Sequence, residues 1–582
     1  MARECGMAPA VVLAAMLGAA PVAAQAPPSA QSWTLCAGED RARSIAGCTQ
    51  VIEAADQSDL NRAVAFATRA AARAGNGELD LAIADYDAAI RLNPSFVLAL
   101  VARGVLHARK GQRERAIADY DAALRLNPSH APAFARRGQA WYAMGETDRA
   151  IADYDQALRL DPSDAAVFNN RGLAFSRKRD YRRAIEDYDQ AIRLAPDAAL
   201  AFFHRGNAWR ELGRHDRAIE DYDQAIRLDP SDAAAFVNRG FAHAAKGEHA
   251  RAIRDYDEAI RLDPAFTLAF HDRGNAWRAL GLHDRAIEDY GQAIRLDPSD
   301  AVAFNNRGLA HSLKRDYGRA IEDYDAAIRL NPASVAAFYN RGRAYFDTQR
   351  FERAIEDYDA AIRLNPSHVF ALFERGNTHL RQRRYDRAIE DYDRVIRLEP
   401  SNALALRNRG YAWRSKGDIE RALRDYDEAV RLNPSDAEAL HHRGRAHADG
   451  RRYERAIGDL DEAIRLKPSY GLAWSARCFA RAVSGMLDAA LSDCEEALRL
   501  RPGDAAALEG RGLVHLKAGR LDAAVADYDA ALRLRPRLAD ALYGRGIARR
   551  RKGDAAGGDA DIEAAKAIQA DIAEAFARYG VR

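Results

Sequence analysis

The chain of 582 residues carries 87 Lys and Arg against 85 Asp and Glu, a formal net charge of +2. Charges so nearly balanced give no general attraction to nucleic acid or to a membrane surface. The length exceeds what one ordinary hydrophobic core spans, which leaves several domains or a repeat array.

The first residues have the form of a targeting segment. Arg3 supplies a positive end, Ala8–Ala20 is an apolar run too short for a membrane span, and Val22-Ala23-Ala24 offers small residues for cleavage. This predicts a signal peptide over 1–24, a short polar spacer over 25–32 and export, with a periplasmic location expected. No later apolar run is long enough to cross a bilayer, so no transmembrane anchor is predicted. Cys5 would leave with the signal. Cys36 with Cys48 and Cys478 with Cys494 form two local pairs, and an even count in an exported chain predicts two disulfides. Residues 33–62 read as a partial leading unit that caps the array, with Cys48 at a position that is tyrosine further along.

From residue 63 the chain is periodic. A proline recurs every 34 residues from Pro94 to Pro536, setting repeats that begin at 63, 97, 131, 165, 199, 233, 267, 301, 335, 369, 403, 437, 471, 505 and 539. Apolar residues at i, i+3, i+4 and i+7 predict two helices in each, over roughly positions 1–14 and 17–30. Position 15 is often glycine (Gly111, Gly145, Gly213), which permits the left-handed conformation that ends a helix. The serines after the proline (Ser299, Ser367, Ser401, Ser435) are expected to cap the next helix. Position 8 is glycine (Gly104, Gly138, Gly172), positions 20 and 27 are alanine (Ala116, Ala123), and position 24 is tyrosine (Tyr120, Tyr154). The small residues let two helices approach closely, and the tyrosine is expected to fill the gap toward the next repeat.

This set of positions resembles the tetratricopeptide repeat (TPR) family. The resemblance implies an all-α, right-handed α-solenoid of about 15 stacked 34-residue helix-turn-helix repeats over 63–572, followed by a capping helix over 573–582. It also implies that first helices line a concave face and second helices a convex one.

Arginine at position 7 (Arg69 to Arg545) is matched by aspartate at position 23 (Asp85 to Asp561), which predicts a ladder of bidentate pairs between the two helices. The aspartates at position 25 (Asp121, Asp155, Asp189, Asp325) read as solvated charges of the convex face. Position 11 alternates between Trp141, Trp209, Trp277, Tyr345 and Trp413 and, in intervening repeats, His243, His311, His379, His447 and His515. Two repeats of separation is too far to share an ion, so these are expected to be core histidines. His441 and His442 are expected to point to different faces, and no metal site is predicted. Phosphate loops, zinc-protease motifs, nucleophile elbows and calcium loops are all missing from the sequence, which predicts no enzyme and no cofactor.

The working surface implied by the resemblance is the first-helix face. Asn170, Asn238, Asn306, Asn340 and Asn408 at position 6 and Asn207, Asn275 and Asn377 at position 9 offer both donor and acceptor to a peptide backbone, or bond between repeats. Phe203, Tyr339, Phe373 and Tyr411 supply anchors, and Arg210, Arg278, Arg407 and Arg414 positive charge. The expectation is a scaffold whose partners are other proteins or peptides. Support of envelope polysaccharide export through glycan contacts, and an accessory role beside a separate enzyme, are the alternatives.

Overall fold

The structure, a computed structural model, describes residues 28–581, so the predicted signal peptide lies outside the described residues. These residues form 33 helices and no strand. They fall into two units, one ending at Asp297 and one beginning at Pro298. In both, first helices occupy positions 1–13 and second helices positions 17–30, as in Val97–Arg109 and Arg113–Leu126. The short connection turns each pair antiparallel. Ahead of the first full repeat lie Pro28–Cys36 and Arg41–Glu53, so the stretch read as a spacer over 25–32 is helical from Pro28 onward.

The helix ends correct one expectation. Ser367 does not cap the next helix; its backbone N–H and its hydroxyl donate to Asn365 Oδ1 at 3.1 and 2.9 Å, closing the turn around the proline. The cap is the residue after the serine position. Asp164, Asp232, Asp300 and Asp436 accept from the free N–H groups of the helices that follow them.

Position 15 is left-handed throughout. Glycine supplies it at Gly111, Gly145 and Gly213, but Arg179, Arg315, Gln349, Arg383 and Arg451 adopt it too, at φ of 58 to 62°. A side chain there carries about 1–2 kcal/mol of strain, part of which glycine would return as unfolded-chain entropy. Arg383→Gly is therefore expected to raise stability by about 0.5–1 kcal/mol, read as a higher urea midpoint at unchanged slope.

Most repeats are closed by a tyrosine at position 24, with Leu460, Cys494 and Ile562 in its place in three. A Cβ on Gly172 would stand 2.6 Å from Tyr188 Cε1, and one on Gly206 2.8 Å from Tyr222 Cε1. The ring thus lies flush on the glycine of its own repeat and reaches the next repeat with its other side, where Tyr188 meets His204 at 5.9 Å. The C-terminal end departs from this stacking. Helix Ile572–Arg578 folds back onto the first helices: Phe576 meets Tyr543 at 4.8 Å, and Tyr579 reaches Phe479 at 5.6 Å. Leu513, Leu516 and Phe576 are buried together beneath it.

Candidate partner-binding face

The arginine ladder holds the first helices in place. Arg205 donates from Nε and Nη2 to Asp221 at 2.9 and 2.6 Å and from Nη1 to Asp189 of the preceding repeat at 2.5 Å. Its guanidinium also stacks on Phe202 at 5.6 Å. The same three-point contact joins Arg137 to Asp153 and Asp121, Arg171 to Asp187 and Asp155, and Arg341 to Asp357 and Asp325. This corrects the reading of position 25. Asp121, Asp155, Asp189 and Asp325 are not free solvated charges; stacking brings each under the arginine of the next repeat, and the ladder runs between repeats as well as within them.

Position 11 has two solutions. Tryptophan is covered by the arginine at position 19, as in Arg149 over Trp141 at 4.8 Å and Arg217 over Trp209 at 4.6 Å. Histidine instead points Nε2 toward the ladder carboxylate, 3.9 Å from Asp255 for His243 and 3.9 Å from Asp323 for His311. His107, at the same position and 3.9 Å from Asp119, belongs to this series and was legible from the register. Burial lowers the pKa of His311, His379, His447 and His515. Among the described residues no group of His, Cys, Asp and Glu is arranged to hold a metal ion.

The asparagines are largely engaged with the chain. Asn207, Asn275 and Asn377 accept the hydroxyls of Tyr222, Tyr290 and Tyr392 at 2.8, 2.8 and 2.7 Å. Asn408 donates to Asn377 at 2.9 Å and Asn340 to Asn305 at 3.0 Å, while Asn238 accepts from Arg210 at 2.5 Å. Asn306 accepts from Asn305 at 3.2 Å, and Asn170 is half-buried. The arginines are committed too: Arg278 reaches the Tyr290 hydroxyl, Arg407 pairs with Asp436 and Glu438, and Arg414 with Asp449. Phe203, Tyr339 and Phe373 are half-buried and tilt against the tyrosine of their own repeat, at 6.1, 6.2 and 5.9 Å. Tyr411 is more open and meets His442 at 5.6 Å.

The resemblance points to position 2 as well, but sequence reasoning singled out no residue there. Leu98, Leu200 and Leu268 in the first unit, and Val302, Phe370, Leu404 and Leu472 in the second, are exposed apolar side chains one helical turn before positions 5 and 6. Phe370 is 67% exposed. The signal was available as an apolar residue recurring where helix packing does not need one.

His441 and His442 do not point apart as expected. Their rings lie 5.2 Å from each other, with His441 against Tyr470 at 5.2 Å and His442 stacked on Tyr426 at 6.1 Å. Tyr426 of the preceding repeat and Tyr470, in the turn before the next helix, flank the two imidazoles. Burial, with Arg407, Arg414 and Arg445 nearby, pushes the His442 pKa down to about 3. Its folded pKa lies below the unfolded value of about 6.5, so stability is intact above that pH and is lost as pH falls from it toward the folded value. The stability difference between His442→Phe and the parent is expected to shift by about 1 kcal/mol per pH unit between pH 6 and 4, in favour of phenylalanine. A flat difference over that range in urea titrations would show that the imidazole charges freely in the folded chain.

Both cysteine pairs are brought together, with Cα separations of 4.5 Å for Cys36 and Cys48 and 5.3 Å for Cys478 and Cys494. Those separations suit a bridge. Cys478 and Cys494 stand where other repeats place glycine and tyrosine, and a Cβ on Gly510 of the next repeat would lie 3.0 Å from Cys478 Sγ. No helix among the described residues is long and apolar enough to cross a membrane.

A family model described as a tetratricopeptide repeat matches residues 67–131, 169–233, 211–265, 305–369, 373–422, 414–471, 480–539 and 514–571. A second, described as a TPR repeat, matches 138–178 and 274–314. Comparison with curated proteins returns no match. Similar solved structures include YrrB, titled a TPR protein with an unusual peptide-binding site, 26% identical over 32% of this chain and 97% of its own, with a TM-score of 0.29. The MamA protein is 25% identical over 29% of this chain and 92% of its own, with a TM-score of 0.28. A tetratricopeptide repeat protein from Parabacteroides merdae is 21% identical over 42% of this chain and 97% of its own, with a TM-score of 0.35.

Proposed function

Because the chain belongs to the tetratricopeptide repeat family, whose fold serves protein interaction, we propose that it is a non-enzymatic scaffold binding extended segments of other proteins along its first-helix face. The observation that carries this reading is the position-2 column. Apolar side chains such as Leu200 and Leu268 in the first unit, and Phe370 and Leu404 in the second, stay open to solvent on their first helices, beside half-buried rings and amides. Exposed apolar groups recurring at one register serve a partner better than they serve the fold. Many such contacts, each weak, sum along the array.

The asparagines then act at one remove. By fixing the position-24 tyrosines and their neighbours they keep the face rigid, and a rigid face loses little entropy on binding. The glycan alternative is disfavoured, because Phe203, Tyr339 and Phe373 spend part of their ring surface on the tyrosines behind them and offer no open pair of flat faces. Export to an oxidising compartment, with both cysteine pairs bridged, is part of the proposal. Thiol alkylation of the purified chain before and after reduction tests it directly.

The binding reading is tested by capture of partners with the parent and with a Phe370→Glu/Leu404→Glu variant, alongside Leu126→Glu as an exposed control off this face. Loss of the captured set in the double variant alone is expected. An identical set from all three proteins would remove the first-helix face from consideration.

A further inference from the structure

The repeats starting at 471, 505 and 539 depart from the pattern in two columns. From Val105 to Arg445, position 9 never places apolar residues in two adjacent repeats; these three then carry Phe479, Leu513 and Ile547 in a row. Position 6 is polar from Arg136 to His442 except at no repeat between them, and becomes glycine at Gly510 and Gly544. Both glycines let neighbouring repeats close in. A Cβ on Gly510 would stand 3.0 Å from Cys478 Sγ, and one on Gly544 would overlap the Tyr528 ring. The result is an apolar trough on the first-helix face, where the open repeats carry amides and charges.

The chain fills this trough itself. Tyr579 meets Phe479 at 5.6 Å and Phe576 meets Tyr543 at 4.8 Å, while a Cβ on Gly580 would stand 3.9 Å from Lys517 Nζ. One segment thus touches three first helices, Gly471–Val483, Ala505–Lys517 and Ala539–Arg551. Tyr543 and Phe479 hold positions 5 and 9, the register of Phe203 and Asn207. Ile572, Phe576 and Val581 are buried in the cluster that holds Leu513 and Leu516. Apolar contact is what fastens the segment. Its helix, Ile572–Arg578, is too short to persist alone and has no side-chain cap from Asp571. The bonds that close its end stay within it, from Tyr579 to Ala575 and from Val581 to Phe576, each at 3.0 Å. It lies across the helix pairs, not inside one, so its departure leaves each pair intact.

We propose that residues 572–581 are an exchangeable occupant of this trough, closing the first-helix face of these three repeats until a partner's short amphipathic helix displaces them. This rests on the first-helix face being the partner-binding face. The occupant's own chemistry defines the partner's. Ile572, Phe576 and Tyr579 stand at i, i+4 and i+7, one stripe of a helix, and all three face the cluster. The form required here is a helix, in contrast to the extended segments proposed for the open repeats. Removing the segment would bare Phe479, Leu513, Leu516 and Tyr543 together, an apolar patch suited to such a stripe.

The test uses the full chain and a dye-labelled, acetylated and amidated peptide of residues 570–582, read by fluorescence anisotropy. The Phe576→Ser/Tyr579→Ser variant releases the segment and leaves the trough unchanged. It is expected to bind the peptide saturably. The parent should bind about tenfold or more weakly, because a tethered occupant competes at the high effective concentration of a short linker. Adding Tyr543→Ser to the variant removes one wall and should abolish uptake, as should serine at both aromatic positions of the peptide. An alanine-rich helix of unrelated sequence with Ile, Phe and Tyr at i, i+4 and i+7 should displace the label. The same residues at i, i+2 and i+5, spread around the helix, should not. Hydrogen exchange supplies a second measurement. In the parent, amides of Ile572–Arg578 should exchange by local opening, faster than those of Leu521–Leu534, and the variant should keep the protection of Leu521–Leu534. Equal uptake by parent and variant, refusal by the variant, loss of protection in Leu521–Leu534 of the variant, or equal protection of the two helices in the parent would each overturn the exchange. The Phe370 and Leu404 experiment does not involve this segment. Failed exchange with capture lost in that double variant refutes this inference alone, whereas capture unchanged there refutes the binding face.

Discussion

Replacing Arg205 with alanine is expected to cost about 3–5 kcal/mol, among the largest effects of any single substitution in the array. The guanidinium holds Asp221 through two hydrogen bonds, Asp189 of the preceding repeat through a third, and stacks on Phe202. Asp221 is only 4% exposed, so alanine would leave a carboxylate that water cannot reach. Burial already pushes the Asp221 pKa above the ordinary carboxylate value, and Arg205 is the main group opposing it. Without the arginine that pKa rises further. An acid whose folded pKa exceeds its unfolded one destabilises the fold above that pKa and ceases to do so as pH falls through it. The deficit of Arg205→Ala should therefore be largest at neutral pH and shrink under mildly acidic conditions, as Asp221 takes up a proton. Asp189→Asn, which removes only the charge of the inter-repeat contact at a half-exposed position and keeps the Oδ1 acceptor, should cost about 1 kcal/mol or less. Urea unfolding at pH 7.5 and 5 measures both. Because a repeat array unfolds by neighbouring units, hydrogen exchange should locate the first loss of protection around the repeats starting at 165 and 199. A cost for Arg205→Ala no greater than that for Asp189→Asn would mean that the buried pair contributes little.

Arg205 also marks how far the sequence could be followed. Its pairing with Asp221 was legible because both columns are complete and lie on two helices joined by a short turn, which fixes their relation locally. Its bond to Asp189 was not, because that contact depends on how one repeat is rotated against the next, and no spacing within a repeat encodes that rotation. The same divide explains the asparagines. Asn207, Asn275 and Asn377 were visible as a column, but whether they face a ligand or the Tyr222, Tyr290 and Tyr392 hydroxyls depends on ring orientation after packing. The fold-back of Phe576 and Tyr579 onto Tyr543 and Phe479 was equally hidden, since the last residues fall out of the period and carry no register of their own. Glycine turns and the all-helical architecture followed from periodicity because they are local and recur many times. Candidate contacts, which belong to single repeats, had no such repetition behind them.

Tyr392 and Tyr358 are expected to respond alike to alanine and differently to phenylalanine. Both rings are fully buried, each against the glycine at position 8 of its own repeat: a Cβ on Gly376 would lie 2.9 Å from Tyr392 Cε1 and one on Gly342 2.8 Å from Tyr358 Cε1. Truncation to alanine opens a cavity that two helix backbones bound and cannot fill, and should cost about 3–5 kcal/mol at either site. Phenylalanine keeps the ring and removes only the hydroxyl. At Tyr392 that hydroxyl donates to Asn377 Oδ1 at 2.7 Å, so Tyr392→Phe should cost about 1 kcal/mol. Asn377 keeps the bond from Asn408, which limits the damage. At Tyr358 the hydroxyl is buried with no partner in the chain, because position 9 of its repeat is Arg343 in place of an asparagine. A buried donor without an acceptor costs about 1–3 kcal/mol, so Tyr358→Phe should be neutral or should stabilise by up to about 1 kcal/mol. Parallel urea titrations of the four variants decide the matter. Equal losses from both phenylalanine substitutions would show that the two hydroxyls are satisfied alike, and that the identity of position 9 does not set how the tyrosine is held.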